Sequence, residues 1–147
     1  MPWRFNDKRL ETARHVKDLW PDVDKTIIYQ DMLDYGIDAG EIIVQPANQF
    51  EMESVMGVSM PKPNIPARLW ISIDTINDAY PGDEAKYIGL VHELAHFRQA
   101  LVGGLGPPRG KEWYEQQHEQ EANRWSARQA KLMGWSEQRL TKFLERR

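Results

Sequence analysis

His92-Glu93-Leu94-Ala95-His96 combines residue types and a spacing that point directly to chemistry. On a helix, residues four apart lie one above the other, so His92 and His96 can offer two imidazoles to one metal ion while Glu93 sits beside them. That is the arrangement a zinc hydrolase needs, in which the metal acidifies water and a carboxylate takes up its proton. The chain has no cysteine, so thiolate sites are excluded and a metal here must be held by imidazole and carboxylate. A catalytic zinc keeps three protein ligands and one open position, so a further donor must come from elsewhere in the chain. The competing reading is an ordinary helix with two solvated histidines, and it turns on what else that helix carries.

On a helical wheel of about 100° per residue, Ala85, Ile88, Gly89, His92, Ala95, His96 and Gln99 fall on one side, with Tyr87, Leu90, Leu94, Phe97 and Leu101 opposite. A helix that is apolar behind and made of small residues and histidines in front is buried around most of its circumference, which predicts a central position. Gly89, one turn before His92, leaves room for another element to approach. The third ligand is sought on the following helical stretch. There Glu119 shares its face with Ala122, Asn123, Ser126 and Ala130, a row of small residues that lets two helices lie close. Glu121 points away with Tyr114, Arg124, Arg128 and Leu132, toward solvent. Glu119 is therefore the expected third ligand, and Asn123, one turn later, is expected to orient a ligand. Glu115, on the same face, is the substitute. His118, at its edge, is either an alternative ligand or a hydrogen-bond donor to substrate.

The elements that must position these residues follow from periodicity and punctuation. Asn6 to Trp20 reads as an amphipathic helix with Asn6 as N-cap, and a second helix is expected over about Asp24 to Tyr35, burying Ile28, Met32 and Tyr35 and closed by Gly36. A packing role suits this pair better than a DNA-binding one, because the segment turns acidic. Glu41 to Gln45, closed by Pro46, and Phe50 to Glu53 read as strands, as does Arg68 to Asp74, where Leu69, Ile71 and Ile73 alternate with Arg68, Trp70 and Ser72. Trp70 and Ser72 are expected to face outward or into a groove. Asp83 caps the helix carrying the histidines, which runs to about Val102. The glycine- and proline-rich stretch Gly103 to Gly110 is a turn or a mobile cleft loop. A long helix over Glu112 to Met133 ends at Gly134, and Ser136 caps a last one to about Glu145. The expected fold is α+β, with a small, mostly antiparallel sheet of about three strands packed on helices and the histidine helix central. Residues 1–147 form a single domain, with 1–36 as a helical segment packed on it.

At 147 residues, 41% hydrophobic and 28% charged, the composition is that of an ordinary soluble domain able to bury roughly two-thirds of its unfolded surface. The net charge of −3 provides no electrostatic footprint for nucleic acid. No apolar run approaches bilayer-spanning length and the opening residues lack a signal-peptide core, so a soluble, cytoplasmic protein without membrane partners is expected.

His92-Glu93-x-x-His96, 22 intervening residues, then Glu119-x-x-Ala122-Asn123-x-Trp125-Ser126-Ala127 resembles the zincin-type, gluzincin-like metallopeptidases of the ImmA/IrrE family. Their second motif has a Glu, then Ala-Asn or Ala-Asp, then an aromatic and small residues. Ala95 stands where that family commonly has Gly, and Trp125 where it commonly has Phe. The resemblance implies a zincin-like fold, one Zn2+ and hydrolysis of a protein or peptide substrate in bacterial or phage regulation. The expected mechanism is a metal-activated water held by His92, His96 and Glu119, with Glu93 as general base. The strand Arg68 to Asp74 is expected to pair with an extended substrate. Tyr87 lies on the wrong face to stabilise the tetrahedral intermediate, leaving Tyr114, His118 or an arginine. The alternative is a zinc-containing regulatory or peptide-binding protein of the same fold without turnover; a purely structural protein with no metal is the third reading.

Overall fold

The structure is a computed structural model that describes residues 3–52, 54–102 and 112–145, with the side chains of 113–115 outside the description. The chain is α+β. Its strands β1 (Ile43–Ala47), β2 (Met56–Ser59) and β3 (Arg68–Ser72) form one sheet in the order β1-β3-β2. Six α-helices accompany it among the described residues: α1 (Val16–Leu19), α2 (Ile27–Asp34), α3 (Ile76–Ala79), α4 (Asp83–Leu101), α5 (Glu112–Leu132) and α6 (Glu137–Glu145).

The sheet is mixed rather than mostly antiparallel. β1 runs parallel to β3, with Ile43 opposite Arg68 and Ala47 opposite Ser72, whereas β2 is antiparallel to β3, with Met56 opposite Ile71. Parallel pairing requires a long crossover, and here the chain between β1 and β3 supplies β2 to the far edge on its way. β3 consequently has neighbours on both sides and no edge for a substrate strand. Pro46 lies inside β1 rather than closing it, which an edge strand tolerates because one row of its backbone groups is not needed by the ladder.

The expected strand Phe50 to Glu53 is replaced by a turn at 49–51, with Glu53 outside the described residues. The Asn48 side chain accepts a hydrogen bond from the Phe50 N–H at 2.9 Å, and Glu51 accepts from the Asn48 N–H at 3.0 Å. These local side-chain bonds offer the backbone an alternative to a ladder. Phe50 is left 89% exposed.

The continuous helix expected over Asn6 to Trp20 is also broken, into a single 3-10 turn at Asp7–Arg9 and the one-turn α1. Asn6 makes no side-chain cap. Residues 14–16 instead extend along β1, with the Val44 N–H donating to the Arg14 carbonyl and the Val16 N–H to the Ile42 carbonyl, both at 2.9 Å. Asp18 folds back to accept from the Arg14 and His15 N–H groups. Pairing with the sheet outweighs the local helical pattern, and it covers the β1 edge. Among the described residues, β2 is the sheet edge with no further strand paired to it.

α2 starts at Ile27 because Thr26 caps it, accepting from the Tyr29 N–H at 3.3 Å, and Gly36 closes it at φ 79°. Ile28 and Met32 are fully buried as expected, but Tyr35 is 58% exposed. Gly82, at φ 89°, is the N-cap of α4. Asp83 is its first residue, with its carboxylate accepting from the Phe5 N–H at 3.2 Å. Gly134 at φ 85° ends α5, and Ser136 caps α6 by accepting from the Arg139 N–H at 3.1 Å.

α4 carries thirteen buried residues out of nineteen, including the apolar row Tyr87, Leu90, Leu94 and Phe97; Leu101, placed on that row by the wheel, is exposed at the helix end. Its other side meets α5 through Ala122, Ser126 and Ala130, all fully buried, and the Ser126 hydroxyl donates to the Ile88 carbonyl at 3.2 Å. Gly89 is a point of close approach. A Cβ there would lie 2.8 Å from the Met56 methyl and 2.9 Å from the Tyr80 ring. The methyl can swing aside, but the ring is buried against Phe143 at 5.7 Å. Gly89→Ala is therefore expected to lower the unfolding free energy by about 1–2 kcal/mol in urea titrations, overpacking outweighing the roughly 1 kcal/mol helix preference for alanine. A more stable variant would mean that the contact is loose.

Candidate metal centre

His92 and His96 lie one turn apart on α4 and point toward Glu119 on α5. The His92 Nε2 and His96 Nε2 atoms are 3.3 Å apart. Glu119 places Oε2 at 3.2 Å from His92 Nε2 and Oε1 at 3.0 Å from His96 Nε2. Zinc bonds to imidazole and carboxylate are about 2.0–2.1 Å long, which makes the edge of a tetrahedron around the ion about 3.3 Å. The two histidine nitrogens stand at that spacing, and a Glu119 oxygen lies within 4.8 Å of both, so the three residues could hold one ion. His92 is nearly buried and the Glu119 side chain is 55% exposed, so the group is walled by protein on one side and open on the other.

The electrostatics follow from that geometry. Hydrogen bonds from His92 and then His96 hold the Glu119 carboxyl well below the usual carboxylate range, against the opposing effect of burial. Burial pulls the His96 imidazole down, but hydrogen bonds to Glu119 and Gln99 and the nearby Glu93 charge outweigh it and raise its pKa. Each Nε2 that faces Glu119 can donate a hydrogen to the carboxylate, and a metal ion would take the place of those hydrogens.

Glu93 stays outside this group. It is 8% exposed and lines a 720 Å³ cavity together with Met56 of β2, Tyr80, and Trp135, Arg139 and Phe143 from the C-terminal end of the chain. The cavity wall is braced from behind, where buried Lys86 donates its Nζ to the Tyr80 carbonyl at 2.9 Å. Arg139 lies 3.7 Å over the Trp135 ring and 3.5 Å from Glu84, so its charge is already engaged.

His118 is 1% exposed and outside the ligand group; what it contributes is its backbone carbonyl, which accepts from Gln99 Nε2 at 2.9 Å. Asn123 is half-buried and makes no hydrogen bond to His92, His96 or Glu119 among the described residues. Tyr114 and Glu115 have side chains outside the described residues. Trp70 is half-buried and donates its Nε1 to the Ser59 hydroxyl at 3.2 Å. Ser72, expected to face outward or into a groove, is 1% exposed and accepts from the Thr75 hydroxyl at 2.8 Å. Neither lines the cavity at Glu93. Glu121 is not simply solvated: its Oε1 is enclosed and has no hydrogen-bond partner among the described residues. Tyr87 is fully buried behind α4, with its hydroxyl accepting from the Asp22 N–H at 2.8 Å, and burial pushes its pKa far up.

Sequence reasoning missed Gln99. The wheel put it on the histidine face but assigned it no role, although a fully buried amide among small residues must find partners. Its Oε1 lies 2.9 Å from His96 Nδ1. The cavity was missed as well, because its aromatic walls come from segments far apart in the chain and leave no local signal. The chain matches no family model, no curated protein and no solved structure.

Proposed function

We propose that the protein is a zinc-dependent metallopeptidase of the zincin type, of the kind the ImmA/IrrE resemblance implies, with α4 as its central helix. The observation that carries this reading is the convergence of His92 Nε2, His96 Nε2 and a Glu119 carboxylate oxygen within 4.8 Å of one another, close enough for one metal ion to reach all three. His92 Nε2, His96 Nε2 and one Glu119 oxygen would hold the ion. When bound, zinc supplies Lewis acidity that brings the pKa of water toward neutrality and polarises a carbonyl.

The protein's own residues do the rest. Glu93, one residue beyond the first ligand and lining the 720 Å³ cavity, takes the proton from the attacking water and passes it to the leaving amine nitrogen. Substrate is aligned by strand addition, which orients a peptide through its backbone without demanding one sequence. The free edge of β2 serves this role in place of β3. β2 is the strand whose Met56 touches α4 at Gly89, the turn before the ligands. The buried carboxylate of Glu93, next in sequence to the first ligand and lining a cavity, supports turnover over metal storage, because a binding protein has no need of it.

An unfolded polypeptide such as casein, incubated with zinc-loaded protein, is expected to be cleaved, with cleavage abolished by a chelator and restored by zinc. Zinc bound without cleavage of any unfolded polypeptide would favour the binding protein without turnover.

A further inference from the structure

We propose that Gln99 is a positioning residue that fixes the tautomer of His96 and ties it to the helix bearing Glu119, an inference that rests on the metal reading above. The Gln99 side chain is fully buried and spans two helices, with Nε2 2.9 Å from the His118 carbonyl on α5 and Oε1 2.9 Å from His96 Nδ1 on its own helix. A backbone carbonyl can only accept, so the amide NH2 must face His118 and its oxygen must face His96. An amide oxygen can only accept in turn, so His96 Nδ1 carries a hydrogen. Nε2 faces Glu119 at 3.0 Å and His92 Nε2 at 3.3 Å and donates to that carboxylate in the metal-free chain; with Nδ1–H held by Gln99, the Nε2 hydrogen is the one a metal would displace, leaving the Nε2 lone pair for ligation. This is the tautomer that ligation through Nε2 requires.

The same amide couples the two halves of the site. His118 immediately precedes Glu119, so rotating His96 away from the ligand position breaks a buried bond whose other end is anchored beside the third ligand. Water cannot replace that bond where Gln99 has no exposed surface. A metal ligand whose second ring nitrogen is held in this way keeps its orientation and basicity before the ion arrives. The sequence signal is a glutamine three residues after the second histidine, on the same helical face.

The test uses the full chain, zinc ions as the probe, and three proteins: the parent, Gln99→Met, which keeps the volume and removes both hydrogen bonds, and Gln99→Glu, which keeps an acceptor for the His96 Nδ1 hydrogen. Zinc affinity is expected to fall roughly 10–100-fold in Gln99→Met and to fall less in Gln99→Glu, which keeps the acceptor for His96 Nδ1 but loses the donor to the His118 carbonyl. NMR of the imidazole nitrogens in the zinc-loaded parent should show a slowly exchanging hydrogen on His96 Nδ1. That hydrogen should exchange fast in Gln99→Met. Parent-like zinc affinity in folded Gln99→Met, or a hydrogen on His96 Nε2 in the zinc-loaded parent, overturns the assignment. The parent spectrum decides the matter even if Gln99→Met does not fold. A parent that takes up no zinc overturns the metal reading alone: in the metal-free parent with His96 protonated, a slowly exchanging hydrogen on Nδ1 upholds the bond to Gln99 and a fast-exchanging one overturns it.

Discussion

Glu93→Gln is expected to lower peptide hydrolysis by about 100- to 10,000-fold, the range associated with loss of a general acid–base group. Glutamine has nearly the shape of glutamate and keeps a hydrogen-bonding end, so the 8% exposed position should still pack. What it lacks is a site that can take a proton from water and give it to a leaving amine. Because Glu93 stands outside the group formed by His92, His96 and Glu119, the variant should hold zinc as the parent does. Steady-state cleavage of an unfolded polypeptide and the zinc content of the same samples check both parts. Equal hydrolysis by variant and parent would remove Glu93 from the proton transfer. Joint loss of activity and zinc would move it into the metal shell.

Glu119→Ala is expected to weaken zinc binding by more than the roughly 10–100-fold typical of losing an outer hydrogen bond, since it removes a ligand outright and leaves two imidazoles. Glu121→Ala, two residues on, should leave zinc affinity near that of the parent. Titration of zinc against a competing chelator ranks the two. Glu119 places oxygens at 3.0 and 3.2 Å from the two histidine nitrogens, whereas Glu121 has an enclosed oxygen with no hydrogen-bond partner among the described residues. Removing Glu121 therefore acts on stability rather than on the metal. The reverse ranking would mean that the helix register deduced from Ala122, Ser126 and Ala130 is wrong.

That register was readable from the chain alone because it depends on helical periodicity. His92 and His96 one turn apart, and Glu119 in line with small residues that pack on α4, are consequences of 3.6 residues per turn. The ends of α5 and α6 were readable for a similar reason: Gly134 and Ser136 act locally. What was not readable depends on distant partners. Residues 14–16 follow a helical pattern but pair with Ile42 and Val44. Arg68 to Ser72 alternates as a half-buried strand should, yet alternation does not say that β1 will lie parallel on one side and β2 antiparallel on the other. Ser72, on the polar side of that alternation, is buried because Thr75 turns back to donate to it. Gln99 lay on the expected face, but its partner is a main-chain carbonyl of another helix, and a main-chain carbonyl has no sequence signature.

The central claim is that His92, His96 and Glu119 form one zinc site, and X-ray absorption at the zinc edge of protein loaded with zinc and dialysed tests it most directly. The expected result is one zinc per chain with nitrogen and oxygen ligands at about 2.0–2.1 Å and scattering from two imidazoles, one of which is lost in His96→Ala. A chain that retains no zinc after dialysis, or a bound ion whose spectrum is the same in the parent and in His96→Ala, would contradict it.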